Sequence, residues 1–436
     1  MNFYTNTITN SFTNSFTNTI RSCIPSTFSL IPYIPYVFLV FIIILLLFAG
    51  YIKFKYRFWS VQPVFHFYDF HYSFYPYGII MRELPEKNRY CNFKQIKTIE
   101  FSKMDDHLTN KFVNFVKHHY LKNGDNVFDP ARENVIPYFI GHNAPCFFTH
   151  FEEDELLYDT KDSNTIAHKK MVSVMTSRPI HIYFNKKGST ANFDLYYVDY
   201  LCVDPLFRKK GIAPQIIQTH EYNQRHSNKS IAVSLFKRET ELTGIVPLCT
   251  YFTYGFSMKK WCVPSEMPEG NINVVECGPN NIHHLVDFLK SSLSEKFDVC
   301  ITPEISNILE LVKTKNIYIY MVIQDDDILA CYYFRDLCTS LKKSTMSIIC
   351  FASVNYCKNI DIFIHGFKIA ISKICLSIKD NKKKFGYALI EDISDNAVLI
   401  QNIQMKTPYM MKNPTAYFLY NYIYPTVPSG KIFILN

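Results

Sequence analysis

Residues 198–214 read V-D-Y-L-C-V-D-P-L-F-R-K-K-G-I-A-P, and the fold is read outward from them. The stretch opens as a strand, with apolar Val198, Tyr200, Leu201, Cys202 and Val203. It turns at Asp204-Pro205 into a basic loop holding Arg208, Lys209, Lys210 and Gly211. Ile212, Ala213 and Pro214 then open an amphipathic run continued by Ile216 and Ile217, which predicts a helix. A strand feeding a basic, glycine-bearing loop at a helix start suits a pyrophosphate. The orphan N–H groups of the first turn point outward, the helix dipole favours an anion, and Gly211 lets the backbone come close. An ordinary strand–loop–helix with solvated lysines has the same local pattern, so the decision passes to the rest of the chain.

The chain has 436 residues, enough for two or three domains with their own cores. Hydrophobic content of 48% and aromatic content of 16% predict a mostly globular protein. A net charge of +8 is modest at this size. It suits phosphate-bearing ligands or an anionic membrane surface and does not call for nucleic acid as a partner. Thirteen cysteines occur without a C-x-x-C pair, which points to reduced thiols rather than a disulfide framework or a zinc site.

Residues 1–30 read as a low-complexity tail, with T-N-T-I, T-N-S-F, T-N-S-F and T-N-T-I in succession over residues 5–20. Residues 31–52 carry no charge, and as a helix they would span about 33 Å, enough for a bilayer core. A buried helix of a soluble protein is the competing reading. Lys53, Lys55 and Arg57 follow at once, against only Arg21 on the other flank. The positive-inside bias therefore predicts a single-pass membrane protein with its bulk facing the cytosol and membrane lipid as a partner.

Immediately after the span, residues 56–64 read Y-R-F-W-S-V-Q-P-V. This resembles the Y-x-F-W-x-T-Q-P-V segment that opens the catalytic domain of eukaryotic glycylpeptide N-myristoyltransferases. Residues 198–214 resemble the same family's N-F-L-C-V-H-x-x-L-R-x-K-R-x-A-P, and their R-x-x-G-x-A core resembles the acyl-CoA signature of GNAT acyltransferases. Further along, Y-L-K-N-G-D-N-V-F (120–128) is placed like the family's Y-x-E-D-D-D-N-x-F loop. I-V-P-L-C-T-Y-F-T (245–253) is similar to its P-V-x-T-C-R-Y-W-H, and Y-F-L-Y-N-Y (417–422) to its closing Y-Y-L-Y-N. The resemblance covers nearly everything after residue 55.

Strands and helices alternate through two comparable stretches. Strands are predicted at 172–174, 180–183, 231–236, 317–323 and 329–334, with helices at 108–120, 282–289 and 362–378. The expected fold class is α/β: two tandem GNAT-like halves, residues 53–264 and 265–436, behind one transmembrane helix. Only the first half carries the basic cradle, so one acyl-CoA site is expected.

Acyl transfer to an amine needs a held thioester, donors for the oxyanion and a base for the ammonium. For the first, Arg208, Lys209, Lys210 and the N–H groups around Gly211, Ile212 and Ala213 would neutralise CoA phosphates. The resemblance adds Tyr56, Arg57, Phe58, Trp59, Val203 and Pro214 to that surface. For the second it implies the backbone N–H groups of Tyr200 and Leu201. For the third it implies the α-carboxylate of the last residue, here Asn436, approached by apolar Ile432, Phe433, Ile434 and Leu435. A free α-carboxyl titrates near ~3.5 and an α-amine near ~7.8, and burial narrows that gap from both sides.

In the implied peptide positions Tyr120, Phe128 and Tyr251 agree with the family, whereas Asp199 stands for Asn and Thr253 for His. Lys122, Asn123 and Gly124 replace acids, leaving Asp125, and Met411-Lys412-Asn413 replaces Gly-Asp-Gly. Lys122 and Lys412 thus predict loss of the usual preference for a basic acceptor peptide. The resemblance implies transfer of a long acyl chain from acyl-CoA, as co-substrate and with no prosthetic group or metal, to the N-terminal glycine amine of proteins or peptides. A GNAT enzyme with another acyl chain or acceptor, and a catalytically silent acyl-CoA- or peptide-binding scaffold, remain as alternatives.

Overall fold

A computed structural model describes residues 33–436 except 70–71, 73–76, 122–126, 160–163, 187–188, 240–243, 263, 265, 268–269, 342–344 and 379–384. The low-complexity tail and Lys122, Asn123, Gly124 and Asp125 lie outside the described residues. The first element is helix α1 (Ile34–Lys55). It begins and ends three residues later than the uncharged run predicts. Pro35 fits its first turn, where no intrahelical N–H is needed, and Lys53 and Lys55 complement the dipole of its last turn. Its mean hydropathy is 2.7 over Pro35–Lys55, and its Leu, Ile and Phe side chains are exposed nearly all round. Residues Met1–Gln62 group as one unit and Pro63–Asn436 as a second.

The second unit is built on a mixed sheet of 15 strands among the described residues. Its first half supplies β1 (Ile96–Glu100), α2 (Asp106–His119), β2 (Phe147–Asp159), β3 (Asn164–Lys186), β4 (Ser189–Val203), α3 (Ile212–Ser227), β5 (Ser234–Glu239) and β6 (Cys249–Ser257). The second half supplies β7 (Ile272–Glu276), α4 (Ile282–Lys296), β8 (Val299–Thr302), α5 (Ile305–Lys313), β9 (Ile317–Gln324) and β10 (Asp327–Leu341). It continues with β11 (Thr345–Asn355), α6 (Ile360–Ile378), β12 (Phe385–Glu391), α7 (Asn396–Gln404), β13 (Met411–Tyr420) and β14 (Ile432–Ile434).

Each half contains a helix joining two parallel neighbours, β4–α3–β5 and β11–α6–β12. The strand order is β14-β8-β3-β4-β5-β13-β6-β12-β11-β10-β9-β7, with β2 also on β3, β1 on β2, and the fifteenth, two-residue strand Val127–Phe128 on β10. The halves are therefore interleaved. Strand β13 of the second half separates β5 from β6, and β8 and β14 extend the first half's sheet beyond β3.

Parallel β4 and β5 are in register only from Tyr196↔Ser234 to Val198↔Phe236, so the paired ladder stops at Val198, next to the cradle. Helix α3 is held over β3 by Ile212 and Ile216 packing with Ile96, Val172 and Met175. Burying each such isoleucine contributes about 1.5–3 kcal/mol. The polar face of α3 is also buried and largely hydrogen-bonded, although Gln218 Oε1 and Arg225 Nε lack a partner. His220 meets Thr149 at 2.8 Å and Ser177 at 2.9 Å, and Ser177 donates to Gln224 at 2.5 Å. Burial depresses the His220 pKa to about 4, so this histidine is a neutral strut. The described cysteines are not joined in disulfides, and most of them are buried.

Candidate active site

Asp204 accepts the Leu206 N–H at 3.0 Å and starts the short turn Pro205–Phe207 that leads into the basic loop. Arg208 folds back, its Nε–H donating to the Val203 carbonyl at 3.2 Å, and the Lys210 ammonium rests 4.4 Å from the Phe207 ring centre. Gly211 is the N-cap of α3, with φ 79° and no side chain to occupy the first-turn N–H groups, and no acidic residue follows in that turn. A Cβ on Gly211 would meet nothing within 4 Å, so what this position requires is the left-handed φ, not close approach of another part of the protein. Ile212, Ala213 and Pro214 form the opening turn beneath an exposed cationic loop. Tyr56, Arg57, Phe58 and Trp59 belong to the N-terminal unit. There the Phe58 and Trp59 rings meet edge-on at 5.1 Å, and the Arg57 guanidinium lies 4.4 Å from the Phe54 ring centre.

Where β4 leaves the sheet it bulges. Val174 pairs with Cys202 and Thr176 with Asp199, leaving Tyr200 and Leu201 together opposite Met175. Two residues against one turn a strand and re-aim its N–H groups. Tyr200 takes φ 47°, an uncommon conformation for a bulky residue, and packing over-determines it. Its ring lies 5.7 Å from Phe112, 5.3 Å from Tyr120 and 6.3 Å from Phe139. Tyr120 in turn packs on Phe128 at 5.6 Å. Tyr200 N–H donates to its neighbour's carboxylate, Asp199 Oδ1, at 2.8 Å, so one of the two backbone donors is already engaged. Burial, then the Asp199 charge, pushes the phenols of both Tyr120 and Tyr200 well above their ordinary range, leaving neutral hydroxyls.

The C-terminus enters on the edge strand of this sheet, separated from β3 by β8. Strand β14 runs parallel to β8, from Val299↔Ile432 to Ile301↔Ile434, and Leu435 N–H donates to the Ile301 carbonyl at 2.8 Å. Ile432 through Leu435 are at most 2% exposed and Asn436 only 6%. The Asn436 amide donates to the Tyr417 hydroxyl at 3.3 Å, and Tyr417 stacks on Tyr251 at 5.9 Å. Tyr251 and Thr253 share one face of β6, with Thr253 opposite Glu391 and Asn413. A Lys237–Glu391 ion pair of 2.5 Å lies beside both tyrosines. Tyr197 links the two groups of residues, because both Tyr417 and Asp199 act on its phenol after burial itself. Lys412 stands opposite Tyr254, on the other face from Tyr251 and Thr253, and its ammonium covers Phe252 at 4.1 Å. Its charge therefore does not face the Tyr251 side.

Sequence reasoning passed over two arginines at the centre of this arrangement. Arg178 lies on β3 opposite Tyr197, and Arg335 on β10. Both guanidinium groups sit 5.4 Å from the Tyr138 ring centre. Arg178 is also 5.1 Å from Tyr197 and Arg335 4.8 Å from Phe351. Arg178 is 1% exposed, and its Nε and Nη1, like Nε and Nη2 of Arg335, are buried without a hydrogen-bond partner. Taking such a cation out of water costs several kcal/mol, and each ring face returns only about 0.5–2 kcal/mol. Burial works against the Arg335 charge, while Tyr138, Tyr197, Tyr417 and Asp199 hold it up. The available signal was a lone arginine inside the otherwise uncharged run 171–180. A cavity of about 360 Å³ opens elsewhere, lined by His181, Leu285, Leu289, Pro303 and Ile308, and it holds none of the residues singled out from the sequence.

No family model matches the sequence, and neither does any curated protein. Solved structures do match in shape. A Saccharomyces cerevisiae N-myristoyltransferase with bound myristoyl-CoA is similar at a TM-score of 0.62 and 12% identity, over 86% of this chain and 94% of that one. Further structures of that enzyme, with myristoyl-CoA and with myristoyl-CoA and inhibitors, give 0.65 at 13% and 12% identity over 87% and 86% of this chain, and 91% of theirs. What is shared at that identity is architecture: the chain has the duplicated GNAT fold of the N-myristoyltransferases.

Proposed function

We propose that this protein is a membrane-anchored acyltransferase that moves a long acyl chain, myristoyl by preference, from CoA to the N-terminal glycine amine of a protein or peptide. The observation that carries the reading is the buried C-terminus. Four apolar residues deliver Asn436 to the Tyr417–Tyr251 pair, in the same sheet that bulges at Tyr200 and Leu201. In this reading the cradle of Arg208, Lys209, Lys210 and the α3 N-terminus holds the CoA phosphates. The amine lone pair attacks the thioester carbonyl, and its oxygen gathers charge against the Leu201 N–H and the Tyr200 N–H, the latter exchanging its bond to Asp199 for the oxyanion. The ammonium proton passes to the Asn436 carboxylate, the C–S bond breaks as the amide forms, and CoA leaves as its thiolate, later protonated.

Helix α1 is long and apolar enough to cross a bilayer, and Lys53, Lys55 and Arg57 after it favour a cytosolic catalytic unit. Long-chain acyl-CoA partitions to the same surface. The test is mass spectrometry of a Gly-peptide incubated with the protein and a ladder of acyl-CoAs. A product gaining one long acyl group at the α-amine is expected. CoA release without amide, or acylation at lysine side chains only, would refute the reading.

A further inference from the structure

Arg178 and Arg335 are left unused by the chemistry just described. Four of their nitrogens are buried without a hydrogen-bond partner, and both guanidinium groups lie against one tyrosine ring, Tyr138. A guanidinium fork held rigid by ring faces is matched by a carboxylate, which takes two parallel N–H bonds. Asp199, the carboxylate whose charge reaches Arg335, already accepts the Tyr200 N–H. The CoA phosphates have their own exposed cradle around Gly211. Arg178 instead lies against Tyr197, two residues before Asp199 on the strand that bulges. Tyr197, Tyr417 and Asp199 act on Arg335, Tyr417 being the partner of Asn436; this is the amine side of the proposed reaction.

We propose that Arg178 and Arg335 bind a carboxylate on the acceptor, set a few atoms from the amine that is acylated. This rests on the acyl-transfer reading above and narrows its substrate class to acidic, amino-acid-like amines. The carboxylate has two sources: the α-carboxylate of a free amino acid, or the acidic side chain of a residue directly after an N-terminal glycine. The three tyrosines around the pair, Tyr138, Tyr197 and Tyr417, are neutral and buried, which suits a monoanion in place of a phosphate dianion.

The experiment compares kcat/KM for C-terminally amidated peptides beginning Gly-Glu, Gly-Gln and Gly-Lys, together with free glycine and free glutamate, at fixed myristoyl-CoA. Wild type is expected to favour a carboxylate-bearing acceptor over Gly-Gln by tenfold or more. Preference for the free amino acids assigns the α-carboxylate, and preference for the Gly-Glu peptide assigns the side chain. In Arg178→Met and Arg335→Met the ratio should fall towards one, and Arg335→Lys, which keeps charge without the fork, should lie between. A wild type that handles Gly-Gln or Gly-Lys as well as every acidic acceptor overturns the inference without need of a variant.

A second readout, thermal stabilisation by Gly-Glu relative to Gly-Gln, does not depend on turnover. A wild-type difference that Arg178→Met abolishes, in a protein that acylates nothing, keeps the carboxylate site and refutes acyl transfer. Turnover with equal ratios keeps acyl transfer and refutes the site. Absence of both the thermal difference and the ratio refutes the site.

Discussion

Appending one glycine after Asn436 tests the proposed base with the smallest possible change. The α-carboxylate becomes a neutral peptide group, and the new terminus lies one residue, about 3.8 Å, further along the chain. Everything that seats the segment is upstream: the parallel pairing from Ile432 to Ile434 and the Leu435 bond to Ile301. Folding should therefore tolerate the addition. Were Leu435 nevertheless pushed out of its 1% exposed site, the loss would be about 2–3 kcal/mol, visible as a lower Tm. A positioned general base is worth about 10²–10⁴ in rate, or about 2.7–5.4 kcal/mol of barrier. The assay is single-turnover CoA-thiol release, with acyl-CoA Kd and Tm measured in parallel. Expected is a kcat at least a hundredfold down with acyl-CoA affinity unchanged within about twofold. Asn436→Ala, which keeps the α-carboxylate and removes only the bond to Tyr417, should retain most activity. An extended protein within threefold of wild type would refute the reasoning, because no carboxylate would remain at that position.

Gly211→Ala places a Cβ in open space at φ 79°, so it should cost about 1–2 kcal/mol in backbone strain, lower the Tm by a few degrees and weaken acyl-CoA binding; unchanged calorimetry and affinity would contradict this. Burial raises the Glu221 pKa from 4.5 to about 7 despite Arg225 at 4.0 Å, so the folded state binds the proton more tightly than the unfolded one. The resulting stability is complete below pH 4.5 and is lost as pH rises through 7. Glu221→Gln should remove that loss, up to about 3 kcal/mol, in urea midpoints compared at pH 5 and 8.5. Asp199→Ala, which removes the accepting oxygen, should free the Tyr200 N–H, raising kcat a few-fold while raising KM for the amine, whose ammonium loses an attracting charge. A hundredfold fall in kcat with KM unmoved would instead make Asp199 the base. Carbonate washing should leave the full chain in membranes, and Ile44→Lys with Leu45→Lys should release it; release of wild type refutes the anchor.

Local signals in the sequence were legible because they are backbone rules. The turn at Asp204-Pro205, the glycine at the start of α3 and the apolar run before Asn436 each follow from nearest neighbours. Strand β3 was harder. Its 23 residues read as two short runs, because Thr176, Ser177, Arg178 and Pro179 break the apolar pattern. The structure resolves this by partners distant in sequence: Ser177 donates to Gln224 on α3, and Thr176 to the Asp199 carbonyl. The insertion of β13 between β5 and β6 rests on pairings such as Ala416↔Arg238 and Ala416↔Thr250, which no local window contains. The bulge at Tyr200 is likewise set by the register with β3, not by the residue types at the bulge itself.

The two ends of the proposed site are encoded differently, and this bears on what 12% identity to the yeast enzyme preserves, which is the fold. The groups proposed to handle the thioester are N–H groups of a bulge, the first turn of a helix and the chain terminus. Apart from the cationic side chains of Arg208, Lys209 and Lys210 and the left-handed φ of Gly211, these are backbone groups, so the proposed machinery tolerates side-chain change wherever the register is kept. The acceptor end is made of side chains: Asp199, Tyr251, Thr253, Arg178 and Arg335. A substitution there alters charge at once, and two guanidinium groups with four buried nitrogens lacking a hydrogen-bond partner are costly to keep. In the proposed reading the fold frames the reaction, and the acceptor is to be sought through the charges that this chain places beside Tyr138.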